Sequence, residues 1–295
     1  MSSNVRHTSI KDRVFALIQT LLPHHLLSSI MFKITRIKIN WFKNFFIRQF
    51  ISLYRVDMSQ AQNESPTSYQ HFNDFFTRAL KSTARPLADG AKSILSPVDG
   101  TISEVGKIND DQIFQAKGKN YSLETLVGGS PERAQFYRNG YFATLYLSPR
   151  DYHRIHMPVS GRIREMVHVP GRLFSVSPST TRSVKNLFAR NERVVCGFST
   201  EAGPMAMIMV GAIFVSSMDT VWAGTITPPA GKNLRQWSYD TQEPIYLDRA
   251  EEMGRFNMGS TVILLFSENS IQWNEDLKAG KKIQFGEKLG EVIKA

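Results

Sequence analysis

The chain has 295 residues, 42% hydrophobic and 21% charged, with 36 Lys and Arg against 26 Asp and Glu and a formal net charge of +10. That length and apolar fraction are enough for one large domain or two ordinary ones, and they exclude disordered, collagen-like and low-complexity classes. Cys196 is the single cysteine, which excludes an internal disulfide and a cysteine-based zinc site.

Residues 1–58 form a basic arm. They carry nine Lys and Arg against Asp12 and Asp57, a net +7, and leave only +3 to the remainder. A basic yet apolar segment points to an anionic surface, either nucleic acid or a membrane face. Ser9-Ile-Lys-Asp12 reads as a capping box, followed by Ile10, Val14, Leu17, Ile18 and Leu21 at helical spacing up to Pro23. A second helix is predicted from Met31 to Tyr54. On it Lys33, Arg36, Lys43, Arg48 and Arg55 share one arc, while Ile39, Phe42, Phe45, Phe46, Phe50 and Leu53 share the opposite one. Lys38 falls on the apolar side. Large aromatics opposite a basic stripe describe a helix lying in a bilayer interface; the plainer alternative is a helix packed on its own domain with the stripe merely solvated. No segment reaches the roughly 20 apolar residues of a membrane span. The Leu17–Phe32 stretch is interrupted by Pro23, His24 and His25 and lacks a small-residue cleavage site, so attachment to one face of a membrane is expected in place of a secretory signal.

Residues 59–92 read as a polar linker, through Ser68, and a short helix over Tyr69–Leu80 with Phe72, Phe75, Phe76 and Leu80 on one side. From Ser93 to the C-terminus short β-rich runs alternate with Gly and Pro turns: Gly100–Val105, Tyr141–Leu147, Gly161–Val169, Ala206–Ser216, Thr261–Phe266 and Glu291–Lys294. Within them Ser96-Pro-Val-Asp-Gly-Thr-Ile102 and Met157-Pro-Val-Ser-Gly-Arg-Ile163 share P-V-x-G-x-I at an offset of 61 residues. Pro breaks the chain before a strand and Gly permits the bend, so both copies are expected to make the same strand–turn–strand unit. The predicted fold class is α+β: a mainly antiparallel β-sandwich or barrel over 93–295, built from two related halves and preceded by amphipathic helices.

The densest group of chemically able side chains is Tyr146-Leu-Ser-Pro-Arg-Asp-Tyr-His-Arg-Ile-His-Met-Pro158, which puts His153 and His156 three residues apart beside Arg150, Asp151 and Arg154. No third metal ligand is near and the arginines repel a cation, so a metal is not expected. Proton transfer by imidazole, or plain local hydrogen bonding, remains. A second group is Asn257-Met-Gly-Ser-Thr-Val-Ile-Leu-Leu-Phe266, where a Gly-Ser step directly precedes an apolar strand. A third is Asp99, in a turn where Asp is ordinarily only a turn former.

Together the segments S-P-V-D-G (96–100), Y-L-S-P-R-D-Y-H-R-I-H-M-P (146–158), F-N-M-G-S-T (256–261) and F-F-T-R (75–78) resemble phosphatidylserine decarboxylase of the bacterial, membrane-associated type, from about residue 70 onward. Met258 stands where that family most often has Leu or Val, an apolar exchange that leaves the Gly-Ser bond intact. The resemblance implies an Asp-His-Ser relay of Asp99, His156 and Ser260. In it Asp99 orients His156, His156 takes the Ser260 hydroxyl proton, and the alkoxide attacks the Gly259 carbonyl in an N→O acyl shift. Elimination and hydrolysis, with loss of ammonia, then yield a pyruvoyl group from Ser260 and two associated chains, 1–259 and 260–295. The pyruvoyl carbonyl is the implied electron sink for decarboxylating phosphatidylserine to phosphatidylethanolamine, with neither pyridoxal phosphate nor a metal. His153 is the implied proton donor, although the two histidines are close enough to exchange roles. Pro170–Val176 is the implied substrate loop, with Phe174, Ser175 and Val176 beside the substrate and Gly171 as hinge. The arm then becomes a peripheral, monotopic anchor on an anionic membrane surface, on the cytoplasmic face of the cell membrane. A homodimer fits the family, and nucleic acid does not fit the nearly balanced body. Two other classes compete: a serine hydrolase acting on lipids, against which Ser260 lacks a Gly-x-Ser-x-Gly elbow, and a non-catalytic lipoyl-like membrane-binding module, suggested by the P-V-x-G turns and Gly286-Glu-Lys-Leu-Gly290.

Overall fold

The structure is a computed structural model that describes residues 19, 22–116, 119–213, 217–228, 231–240, 243–257 and 261–293. The helix expected at 9–21 therefore lies outside the described residues, Gln19 excepted. The helix expected from Met31 to Tyr54 is two helices, α1 (His24–Ile34) and α2 (Asn40–Tyr54). Ile34, Thr35, Ile37 and Ile39 are β-branched and lose side-chain freedom in a helix. Thr35 closes α1 by donating from both its N–H and its Oγ1 to the Met31 carbonyl, and Ile39 is extended.

One face of α2 docks on α3 (Phe72–Phe76), a shorter helix than the one expected over Tyr69–Leu80. The Phe50 ring meets Phe72, Phe75 and Phe76 edge-on at 5.2, 5.9 and 5.8 Å, and Ile47 is fully buried beside them. Lys43, which periodicity places on the solvated stripe, turns inward and donates to the Thr67 carbonyl at 3.0 Å; the linker supplies an acceptor that spacing alone does not reveal. The outer face keeps Trp41, Phe45 and Leu53, which are 73%, 56% and 75% exposed.

The body is built from antiparallel sheets. The largest has nine strands. It runs from β12 (Arg235–Ser238) through β7 (Gly161–Val169), β8 (Arg193–Thr200), β9 (Gly203–Val210), β15 (Thr261–Phe266), β5 (Tyr141–Tyr146) and β2 (Gly100–Lys107) to β17 (Lys282–Ile283), with β13 (Tyr246–Leu247) beside β7. A four-stranded sheet orders β11 (Gly224–Thr227), β10 (Met218–Thr220), β14 (Glu252–Phe256) and β6 (Arg154–His156); a three-stranded one orders β1 (Ser93–Leu95), β18 (Lys288–Val292) and β16 (Ile271–Trp273). β3 (Gln112–Ala116) and β4 (Lys119–Ser122) form a hairpin. All six residues of β15 are buried, which is why its sequence is a continuous apolar run and not an alternating one. Among the described residues the sheets stay open and close no barrel.

The P-V-x-G echo is structural. β1 and β6 each run into one copy, and β2 and β7 each leave it. The Leu95 N–H donates to the Pro158 carbonyl at 3.0 Å, while His156 N–H, its counterpart 61 residues on, donates to the Pro97 carbonyl at 2.9 Å. Ser96 N–H goes to Glu287 O and Met157 N–H to Glu251 O. Likewise β17 pairs with Thr101 and Gly100 as β13 pairs with Arg162 and Gly161. Each half thus makes the same hydrogen bonds about an approximate two-fold, and the two turns hold one another. Glycine is required at the first: a Cβ on Gly100 would stand 2.3 Å from the Tyr146 carbonyl oxygen.

Candidate active site

β6 ends on His156, and the pseudo-two-fold brings the first P-V-x-G turn, with Asp99, against it. His156 is neutral in this setting, burial holding its pKa below the usual imidazole value. Its Nδ1–H donates to the Ala250 carbonyl at 2.8 Å, so Nε2 is the basic nitrogen, and it accepts from the Tyr152 hydroxyl at 2.9 Å. The ring stacks on Phe285 at 3.8 Å with the planes 17° apart.

Asp99 does not reach His156 directly. Its carboxylate takes the fork of Arg85, 2.9 Å from Nε, and accepts at 2.9 Å from the Phe285 N–H. Phe285 therefore stands between the two expected partners, bonded to one through its backbone and stacked on the other through its ring. In the second half Arg249 N–H donates to Ser160 Oγ at 2.9 Å, as Phe285 N–H does to Asp99. There Ser160 and Leu95 stand in place of Asp99 and His156, so only one half sets an acid and an imidazole about the turn.

His153 is fully buried, its ring 4.1 Å from that of Phe76. Burial pushes its pKa down to about 3. Nδ1–H donates to the Asp151 carbonyl at 2.8 Å, which leaves Nε2 with a bare lone pair and no partner. In the neutral ring that nitrogen is a base.

Gly259 and Ser260 lie outside the described residues, but both flanks are fixed. Upstream, Phe256 N–H donates to the His153 carbonyl at 3.0 Å. Asn257 is clamped next: its N–H donates to Ser217 O at 3.0 Å, its Nδ2 to Ser217 Oγ, and its Oδ1 accepts from Asn73 Nδ2 at 2.8 Å. Downstream, Thr261 opens β15 between Tyr146 and Val210. Asn73, on α3, also donates its N–H to the Thr35 carbonyl at 2.9 Å, so the clamp ties the end of α1 to the chain entering 258–260.

Phe50 and Tyr54 of α2, Phe76, Tyr146, Ser175 and Val176 line an apolar cavity of about 210 Å³. Phe174 is buried behind it and is pinned on both sides: it accepts from Asn191 Nδ2 at 2.8 Å and donates its N–H to Asn191 Oδ1 at 3.2 Å. Gly171, expected as a hinge, is enclosed instead. A Cβ there would come within 2.5 Å of the Arg190 carbonyl oxygen.

Spacing missed Asn73, Ser217, Phe285 and Arg85, because each reaches the site from a distant segment. Asn257 and Tyr152 were inside the quoted motifs, next to the histidines and the Gly-Ser step, and chemistry alone did not single them out. Among the described residues no group of three His, Cys, Asp or Glu could hold a metal ion.

Two buried imidazoles, one of them packed on the cavity-lining Phe76 and bonded to the strand that enters 258–260, make a site chemically able to transfer protons. Known proteins narrow the class. The model of the family described as phosphatidylserine decarboxylase matches residues 72–291, and a shorter one, described as PSD, matches 14–55. The phosphatidylserine decarboxylase proenzyme of Nitrosococcus oceani is 52% identical over 295 residues, 100% of this chain and 96% of the relative. Those of Pseudomonas fluorescens and Bordetella avium are 53% identical over 283 residues and 54% over 281, covering 95% of this chain in each case and 98% and 95% of the relatives. The chain belongs to the phosphatidylserine decarboxylase family. Membership sets aside the non-catalytic and serine-hydrolase readings.

Proposed function

We propose that the chain cleaves itself between Gly259 and Ser260 and then decarboxylates phosphatidylserine to phosphatidylethanolamine at a membrane surface, using a pyruvoyl group made from Ser260. The observation that carries this reading is the bare, buried Nε2 of His153 beside the strand that runs into 258–260. A small carbonyl cofactor fits the surroundings, since the Thr261 hydroxyl is buried without a partner and can donate to a carbonyl oxygen. Once formed, the pyruvoyl group supplies a conjugated carbonyl that accepts the electron pair left by departing CO₂.

His156 is the base for the Ser260 hydroxyl. Its Nε2 is held by Tyr152, so the serine displaces the phenol or passes its proton through it. Asp99 acts at one remove, by fixing Phe285 under the imidazole. His153 Nε2 takes a proton from the substrate ammonium, which frees the amine as a nucleophile, and returns that proton to the carbon that has lost CO₂. A base first and an acid second, it needs no protonated imidazole at rest.

The arm supports a lipid substrate. Trp41, Phe45 and Leu53 form an exposed apolar face on the helix whose other residues line the 210 Å³ cavity. No helix among the described residues is long and apolar enough to cross a membrane, and peripheral attachment by this arm, on the cytoplasmic face, is the location the reading requires.

Intact-mass measurement of the purified protein tests it. A 260–295 chain with a pyruvoyl N-terminus is expected, and Ser260→Ala should stay whole and inactive. A free serine terminus, or an uncut chain in active protein, refutes the mechanism.

A further inference from the structure

The last turn of α2 borders two cavities. Tyr54 lines the apolar one, and Arg55 lines a polar one of about 440 Å³ that reaches Asp99 and Tyr152. Five cations face this second cavity: Arg55, Arg78, Arg85, Arg150 and Lys282. Its acids are largely engaged. Asp99 holds Arg85 and the Phe285 N–H. Asp57 caps its own turn through Ser59 and Gln60. Asp151 accepts from Ser148 N–H, and Glu287 is exposed.

Arg78 stands apart among the buried guanidinium groups. Arg193 donates to the carbonyls of Thr125, Leu126, Ala189 and Asn191, and Arg133 forks onto Glu165 and donates to Val127 O. Arg78 is only 5% exposed, yet it makes one such bond, from Nη2 to Arg150 O at 3.2 Å, and its Nε and Nη1 have no acceptor. Its guanidinium lies 5.5 Å over the Phe75 ring, which fixes its plane. Burial lowers its pKa, but a guanidinium remains charged at neutral pH. Two orphaned donors on a buried cation are costly unless an anion completes them. The Arg78 charge also acts on His153, helping to hold its imidazole neutral, so an anion at Arg78 would be felt by the reacting ring.

We propose that Arg78, with Arg55 and Lys282 at the rim, is the subsite for a phosphodiester anion, and that it takes the headgroup phosphate of the lipid substrate. The planar fork matches two phosphate oxygens, and the neighbouring apolar cavity then lies where the glycerol and acyl end of the same molecule begins. This inference rests on the proposed function for the identity of the lipid, but not for anion binding.

The test uses the mature two-chain enzyme and phosphatidylserine in mixed micelles. Arg78→Gln should self-cleave normally and raise KM at least about tenfold, the loss expected for a charge-assisted hydrogen bond. Arg78→Lys, which keeps charge without the fork, should recover part of it, and the exposed Lys282→Gln should raise KM a few fold while kcat holds. Inorganic phosphate should compete with substrate, more weakly against Arg78→Gln. Phosphatidylglycerol in the micelles should compete likewise if the anion belongs to a lipid. Competition by phosphate with no KM change in any variant overturns the headgroup assignment. Unchanged KM and no competition overturn the site. Should Arg78→Gln fail to fold, an unchanged KM in Lys282→Gln and Arg55→Gln overturns it. Failure of the proposed function shows separately, as the absence of a pyruvoyl chain while phosphate still binds.

Discussion

Replacing Asn73 and Asn257 singly by Leu should destabilise the protein unequally, because the two amides are unequally satisfied. Asn257 makes three hydrogen bonds that hold the chain before 258–260, two of them through its side chain to Ser217 Oγ and Asn73. Asn257→Leu strands Asn73 Nδ2 and unpairs Ser217 Oγ on one side, each buried. A buried polar group left without its partner costs about 1–3 kcal/mol, so a loss of about 2–4 kcal/mol is expected. Asn73→Leu strands only Asn257 Oδ1. It also removes Asn73 Oδ1, which is already buried without a donor, and that relief offsets part of the cost. A loss of about 1 kcal/mol is expected. Urea unfolding in the Ser260→Ala background, where one chain keeps two-state bookkeeping valid, measures both. In the Ser260 background, both variants should also slow cleavage, Asn257→Leu more. Equal losses, a larger loss for Asn73→Leu, or losses below about 0.5 kcal/mol in both would refute the clamp.

Burial holds His153 at about 3 and His156 below its usual value, so between about 6.5 and 3 the unfolded chain binds more protons than the folded one. Stability is therefore complete above about pH 6.5 and falls on acidification, by up to about 1.4 kcal/mol per unit for each histidine; a His153→Gln variant should lose less between pH 7 and pH 5 in urea titrations, and an identical loss contradicts the assignment. Gly100→Ala drives a Cβ to 2.3 Å from a backbone oxygen, whereas Gly161→Ala first meets the movable Thr200 Cγ2 at 2.8 Å. Thermal unfolding should show about 1–3 kcal/mol lost at Gly100 and less at Gly161. Trp41→Ser with Leu53→Ser removes two exposed side chains, each contributing roughly 1.5–3 kcal/mol when buried in lipid. Sedimentation with phosphatidylglycerol vesicles should weaken at least about a hundredfold with no change in melting temperature, and unaltered binding would remove the arm's proposed role.

The duplication was legible as four shared residues in six positions, P-V-x-G-x-I, because Pro and Gly impose backbone geometry wherever they stand. How the copies meet was not. Leu95 and His156 trade hydrogen bonds with the opposite turn, a contact between residues 63 or 59 positions apart, and no local pattern encodes such a meeting. Lys43 shows the same limit in a helix: periodicity gives its direction, but only the docked linker shows that its direction is inward.

The sequence by itself determined the basic apolar arm, the β-rich body, the repeated turn, the paired histidines and the Gly-Ser step before a buried strand, all features carried by composition and by neighbours along the chain. Tertiary structure alone decided that Asp99 pairs with Arg85, that Phe285 separates it from His156, that His153 keeps the bare nitrogen, and that Arg78 keeps two nitrogens without acceptors. Hydrogen-bond satisfaction depends on which distant segments bury a group together, and that is settled only when the sheets have closed around it.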